Sequence, residues 1–109
     1  MLYINGSNRV PIEIVRGDTE LFQVGITVNG EDYTPVDGDV VRFAMKRKGY
    51  YYPFIEKEIP HDTMQLRIDP EDTKGLPFGN YVYDMQITFA DGTVKTFVRE
   101  SPFIIGEEV

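Results

Sequence analysis

The chain of 109 residues has no cysteine and no tryptophan, one histidine (His61), two serines (Ser7 and Ser101) and no long apolar run. Each scarcity removes a class of chemistry. Without cysteine there is no disulfide framework, no thiolate nucleophile and no cysteine-based zinc site, and the composition fits a reducing compartment. A serine nucleophile needs a base oriented by a third group. Neither serine lies in a nucleophile-elbow motif, and His61, in IPHDT, reads as a turn residue between strands. No segment approaches the roughly 18 apolar residues that span a bilayer as a helix. The opening stretch MLYINGSNRVPIEIVRGD has neither the apolar centre nor the cleavage pattern of a secretory signal. Walker loops and dinucleotide fingerprints are absent as well. Basic residues are few, 11 against 18 acidic ones, for a formal net charge of −7. Phosphate contacts need a basic surface, so nucleic acid and anionic membrane are not expected partners.

What the chain does have is β-strand material. A composition of 41% hydrophobic and 27% charged residues is that of an ordinary globular protein, and the length predicts a single domain over residues 1–109. Seven tyrosines and seven phenylalanines favour strands. Period-two alternation recurs between turn signals. Residues 10–15 read as a first strand, with Pro11 suited to a sheet edge. Arg16-Gly17-Asp18 spells the integrin tripeptide, but Gly and Asp equally suit the turn that ends this strand. A second strand, 21–28, places Phe22, Val24, Ile26 and Val28 inward; Asn29-Gly30 is a strong turn pair after it. A short extended piece is expected at 33–36, and a turn at Asp37-Gly38-Asp39. Strand 40–48 has Val41, Phe43 and Met45 on its inner face. It is expected to pair with strand 54–59 in a hairpin centred on Tyr52, setting Met45 opposite Ile59, Lys46 opposite Glu58, Lys48 opposite Glu56 and Arg47 opposite Lys57.

Met64, Leu66 and Ile68 form a fifth alternating segment. Asp69 is a suitable N-cap and Pro70 a suitable first residue for one helical turn near residues 70–74, which Gly75 and Pro77 stop. The clearest strand is 80–89, with Tyr81, Tyr83, Met85, Ile87 and Phe89 on one face. Asp91-Gly92 turns the chain into strand 93–99, Ser101-Pro102 is expected to interrupt it, and 103–105 closes it. These segments predict an all-β fold: a sandwich of about seven antiparallel strands with Greek-key connections, immunoglobulin-like in plan, with a small open barrel as the alternative. In such sandwiches a tyrosine near the start of the strand after the helical corner bonds back to the corner's backbone, and Tyr81 is the candidate for that structural role.

Two surface features are candidates for function. The first is Tyr50-Tyr51-Tyr52-Pro53-Phe54. Consecutive residues cannot all face one core, so Tyr50, Tyr51, Tyr52 and Phe54 form a candidate binding loop for a protein or a sugar. The second is the set of loop acids: Glu31 with Asp32, Asp37 with Asp39, and Asp69 with Glu71 and Asp72. Paired acids hydrolyse sugars in some enzymes and oxygen ligands hold calcium in others. No calcium-loop pattern is present, and solvated turn acids are the plainer reading. No catalytic residue, metal or cofactor is therefore expected.

The segments RGDT, VRFAMKRK with IEKEI, LRIDPEDTKGLPFGNYVYDMQITFADGTVKTF and FIIGEEV together resemble small phage and prophage proteins. Those proteins carry an immunoglobulin-like fold and are similar to the N-terminal domains of upper-baseplate and tail-fibre proteins. The resemblance covers about residues 10–109, is strongest over 68–97 and does not extend to the Tyr50–Phe54 pattern. It implies a non-enzymatic virion structural module of a tail or baseplate, assembled in the bacterial cytoplasm, with other virion or tail subunits, or further copies of itself, as partners; the strand edges near residues 10–15 and 103–105 and the tyrosine loop are the expected contact surfaces. The alternative is an adhesion module for a carbohydrate or host surface, with Tyr50, Tyr51 and Tyr52 as stacking platforms.

Overall fold

A computed structural model describes residues 2–5, 10–28 and 30–107. Along them run β1 (Leu2–Asn5), β2 (Ile12–Val15), β3 (Glu20–Val28), β4 (Glu31–Tyr33), β5 (Val40–Lys46), β6 (Ile55–Ile59), β7 (Gln65–Ile68), the helical turn α1 (Pro70–Lys74), β8 (Gly79–Thr88) and β9 (Val94–Gly106). They form two sheets that share one core, a sandwich-like arrangement. In the smaller sheet β3 is central: β1 lies along one side, while β7 pairs with Glu20–Gln23 and β4 with Ile26–Val28. The larger sheet has the order β2-β9-β8-β5-β6.

Alternation explains the core. Phe22, Val24 and Ile26 of β3, Val41, Phe43 and Met45 of β5, and Tyr81, Tyr83, Met85 and Ile87 of β8 are all buried. Successive strand side chains point to opposite faces, so each of these runs delivers one continuous apolar face. The side chain of Val28, also expected inward, lies outside the described residues. In place of a disulfide, the centre holds three aromatic rings: Phe43, Tyr83 and Phe103, with centroids 5.4 to 6.1 Å apart. Burying a side chain of this size stabilises by about 1.5–3 kcal/mol. The Tyr83 hydroxyl donates to the Val10 carbonyl, and burial pushes its pKa well up.

The architecture departs from the sequence reading in five places. The strands are not all antiparallel: β1 runs parallel to β3, and β2 parallel to β9. Parallel neighbours are joined by crossovers, which leave no hairpin signal in the sequence. In the β5–β6 hairpin each β5 residue meets a partner four positions earlier than expected, with Met45 opposite Ile55, Arg42 opposite Glu58 and Val41 opposite Ile59. An even slip keeps every side chain on its own face, so alternation cannot choose between the two registers. The expected clash of Arg47 with Lys57 disappears, because Lys57 sits opposite Phe43 in this register; its Nζ lies 2.7 Å from Asp72 and 3.6 Å from Asp69.

β9 is continuous through Ser101 and Pro102, and the irregularity falls earlier. The pairing Tyr83–Ser101, Met85–Val98, Gln86–Thr96 loses register twice, so β9 carries extra residues. Bulges of this kind turn the consecutive Phe97 and Val98 both inward. The segment 103–105 is flanked by β2 and β8 and is not a free edge. The short extended piece expected at 33–36 is β4, which begins at Glu31 and ends at Tyr33.

Two junctions fasten the ends of the sandwich. At the first, Asp39 is 93% buried by its surroundings, only 7% exposed. Its Oδ2 accepts from the Tyr33 hydroxyl (2.6 Å) and the Val36 N–H (3.1 Å), and its Oδ1 from the Ala90 N–H (3.2 Å). The Tyr33 ring meets Phe89 edge-on at 5.5 Å. The β4–β5 loop is thereby tied to the β8–β9 turn, where Gly92 at φ +92° makes the tight reversal. At the second junction, the Asp69 N–H donates to Asp72 Oδ2 (2.7 Å) at the start of α1. Thr73, fully buried, accepts from the Gly17 N–H at 2.9 Å, joining α1 to the β2–β3 turn. Arg16 is held there too: its Nη1 donates to the Leu76 carbonyl at 3.3 Å, and its guanidinium lies 4.2 Å from the centre of the Phe78 ring. The integrin tripeptide is thus part of a built corner.

Candidate functional site: the tyrosine loop and the groove beside it

Residues 47–54 connect β5 to β6 and hold the candidate binding residues. The Tyr50 N–H donates to the Arg47 carbonyl (2.9 Å), closing a turn that needs Gly49 at φ +89°. The Phe54 N–H donates to the Met45 carbonyl (2.7 Å), clamping the base of the loop. Between these two bonds the side chains stand out into solvent: Tyr50 is 52% exposed, Tyr51 89%, Tyr52 77% and Phe54 41%. They form two edge-on pairs, Tyr50 with Phe54 at 5.8 Å and Tyr51 with Tyr52 at 5.5 Å.

The loop stands on Tyr81. That side chain is buried, and its hydroxyl donates to the Pro77 carbonyl at 2.7 Å, four residues back along the chain. The Phe54 ring packs edge-on against it at 6.0 Å, and the Arg47 guanidinium lies 5.6 Å from its centre. The aromatic surface therefore rises from a fixed base.

Beside the loop lies a groove of about 260 Å³. Tyr51 and Pro53 form one wall; the floor and far wall come from the outward positions Lys46 of β5, Asp84 and Gln86 of β8, and Glu100 of β9. Asp84 is drawn up from the usual carboxylate range chiefly because its surroundings strip it of water. Glu100 pushes in the same direction and Lys46 opposes it. No hydrogen bond or ion pair holds Asp84 among the described residues, whereas Glu100 has Lys48 Nζ at 3.9 Å. Gln86 reaches Thr96 Oγ1 at 3.5 Å. Sequence reasoning missed this groove, because its acids lie in strands and become neighbours only through the β8–β9 pairing.

The other candidates are dispersed. His61 Nε2 lies 2.9 Å from Asp37 Oδ1, beside a shallow polar depression that Asp32, Tyr33 and Asp62 also line. Ser101 donates its hydroxyl to the Arg99 carbonyl at 2.8 Å. Among the loop acids, Asp39 is occupied by three donors, and Asp69 and Asp72 by Arg67 and Lys57. Arg67 holds the Asp69 carboxyl below its ordinary range. Glu31 and Asp32 are exposed. No cluster of three or more acids and histidines suited to a metal ion occurs among the described residues. No protein-family model matches the chain, and no curated protein matches it.

Proposed function

We propose that the protein is a non-enzymatic structural module of a phage or prophage virion, of tail or baseplate type, which assembles in the bacterial cytoplasm and docks onto another subunit through the tyrosine loop. The virion assignment rests on the resemblance over residues 10–109, and the observation that carries the docking is the contrast between the loop's anchoring and its exposure. Four aromatic side chains stay in water on a backbone clamped at both ends. Aromatic area of this kind is what dominates binding energy when it is covered, and a fixed loop loses little entropy on docking.

The fold reading belongs to the same proposal. The order β2-β9-β8-β5-β6, the helical corner α1 and the bond from Tyr81 to Pro77 support an immunoglobulin-like Greek-key sandwich with Tyr81 as its corner tyrosine. Beyond the loop, the β2 edge offers a further surface for pairing with another chain.

The test is capture from a phage-induced culture with the tagged chain, alongside the triple variant Tyr50→Ala, Tyr52→Ala, Phe54→Ala. Wild type is expected to retain tail subunits, or copies of itself by light scattering, and the variant to lose them. Equal capture by both, or capture of nothing by wild type, rejects the reading.

A further inference from the structure

We infer that the groove between Tyr51 and the outer face of the larger sheet binds one neutral pyranose unit of a glycan. The inference stands apart from subunit docking, because the groove's polar residues are not on the tip of the loop.

Size comes first. A volume of about 260 Å³ falls just below the roughly 300–1,000 Å³ of sites for drug-sized ligands. It suits a single six-membered ring and leaves the rest of an oligosaccharide in solvent. Chemistry comes second. A sugar presents hydroxyls that donate and accept, together with patches of C–H. The groove offers carboxylate acceptors at Asp84 and Glu100, an ammonium donor at Lys46, and both functions at Gln86. Tyr51 and Pro53 supply an apolar wall for the C–H face.

Charge then separates a sugar from a basic side chain. The two carboxylates are matched by two ammonium groups, since Lys46 shares the groove with Asp84 and Lys48 lies 3.9 Å from Glu100. A balanced site exerts little net pull on a cation or an anion, and a neutral polyol answers its separate donors and acceptors best. Asp84 adds a further reason. It is half-buried with no donor on its oxygens among the described residues, which leaves both free to accept from ligand hydroxyls in place of water.

The experiment is a titration of the isotope-labelled full chain, followed by amide proton–nitrogen spectra. The probes are methyl glucoside, methyl galactoside and N-acetylglucosamine to about 50 mM, enough to register a Kd of about 1–10 mM. Lysine amide and arginine amide are titrated in parallel. Saturable shifts at Lys46, Asp84, Gln86 and Glu100 with at least one sugar are expected. Asp84→Ala, Gln86→Ala and Tyr51→Ala should each weaken binding about tenfold, while Glu31→Ala, exposed on the other sheet, leaves it unchanged; the same spectra show whether each variant is folded. No saturable shift with any sugar, shifts with the amines alone, or sugar shifts unmoved by Asp84→Ala and Gln86→Ala would overturn the inference. The double variant Tyr50→Ala, Phe54→Ala, which keeps the Tyr51–Tyr52 pair, separates the two proposals: it should weaken subunit capture and leave the sugar shifts in place.

Discussion

Asp39 is buried and Asp84 half-buried, and the protein treats the two carboxylates in opposite ways. Asp39, between β4 and β5, has three donors on its two oxygens, and the bond from Tyr33 is the largest influence holding its carboxyl below the ordinary range. Asp84, on the outer face of β8, has no such donors; desolvation raises it, and Glu100 adds repulsion. The first region is built to hold two loops together. The second keeps a solvent-reached carboxylate, with no donor on it among the described residues, beside exposed aromatic rings. A polar group fully bonded within the protein marks structure, and one left to solvent beside a groove is available to a ligand.

The largest expected effect comes from breaking the satisfied region. Asp39→Ala orphans the Val36 and Ala90 N–H groups and the Tyr33 hydroxyl, and should lower Tm by about ten degrees or more in thermal unfolding. Because the folded-state pKa of Asp39 is depressed, its contribution is complete above the unfolded value of 3.8 and fades as pH falls through the lower folded value. The gap between wild type and variant should therefore close in strong acid, with Tyr33, His61 and Asp91 as the other titratable groups facing this junction.

Next comes Gly38→Ala in the same loop. The backbone there is left-handed at φ +96°, and an added Cβ would sit 3.0 Å from the Cβ of Ala90. A cost of about 2 kcal/mol is expected by urea denaturation. Tyr81→Phe keeps the ring under the tyrosine loop and removes only the bond to Pro77, so about 1 kcal/mol should be lost.

The smallest effect has the opposite sign. Asp84→Asn should raise Tm at neutral pH by about 2 °C, a modest figure because the site is partly solvated. A carboxyl with a raised folded pKa favours the folded state most at low pH and loses that advantage as pH rises through the folded value. The gain from Asn should therefore vanish in acid. Lys46 and Glu100 are the charged groups that act on it, and Lys48 lies against Glu100. Equal effects of the Asp39 and Asp84 substitutions would dissolve the contrast between the two regions.

The β character of the chain, the inner faces of β3, β5 and β8, the α1 turn and the Asp91-Gly92 reversal were legible because each is written in a few neighbouring residues. The β5–β6 register was not, since Met45 finds an apolar partner in either Ile55 or Ile59. Nor were the parallel pairings of β1 and β2, which join segments far apart in the chain. The exposure of Tyr50, Tyr51 and Tyr52 was half legible: the run of aromatics demanded some surface, but not that all three would stand clear. The groove was invisible, because Asp84 and Glu100 look like ordinary outward strand acids until the bulged β9 sets them side by side.

The exposed loop also gives the protein an optical handle. With no tryptophan, its near-ultraviolet emission comes from seven tyrosines, three of them side by side at the loop. A ligand or neighbour that covers those rings changes the intrinsic fluorescence of the unlabelled chain, so occupancy can be followed in real time with nothing attached.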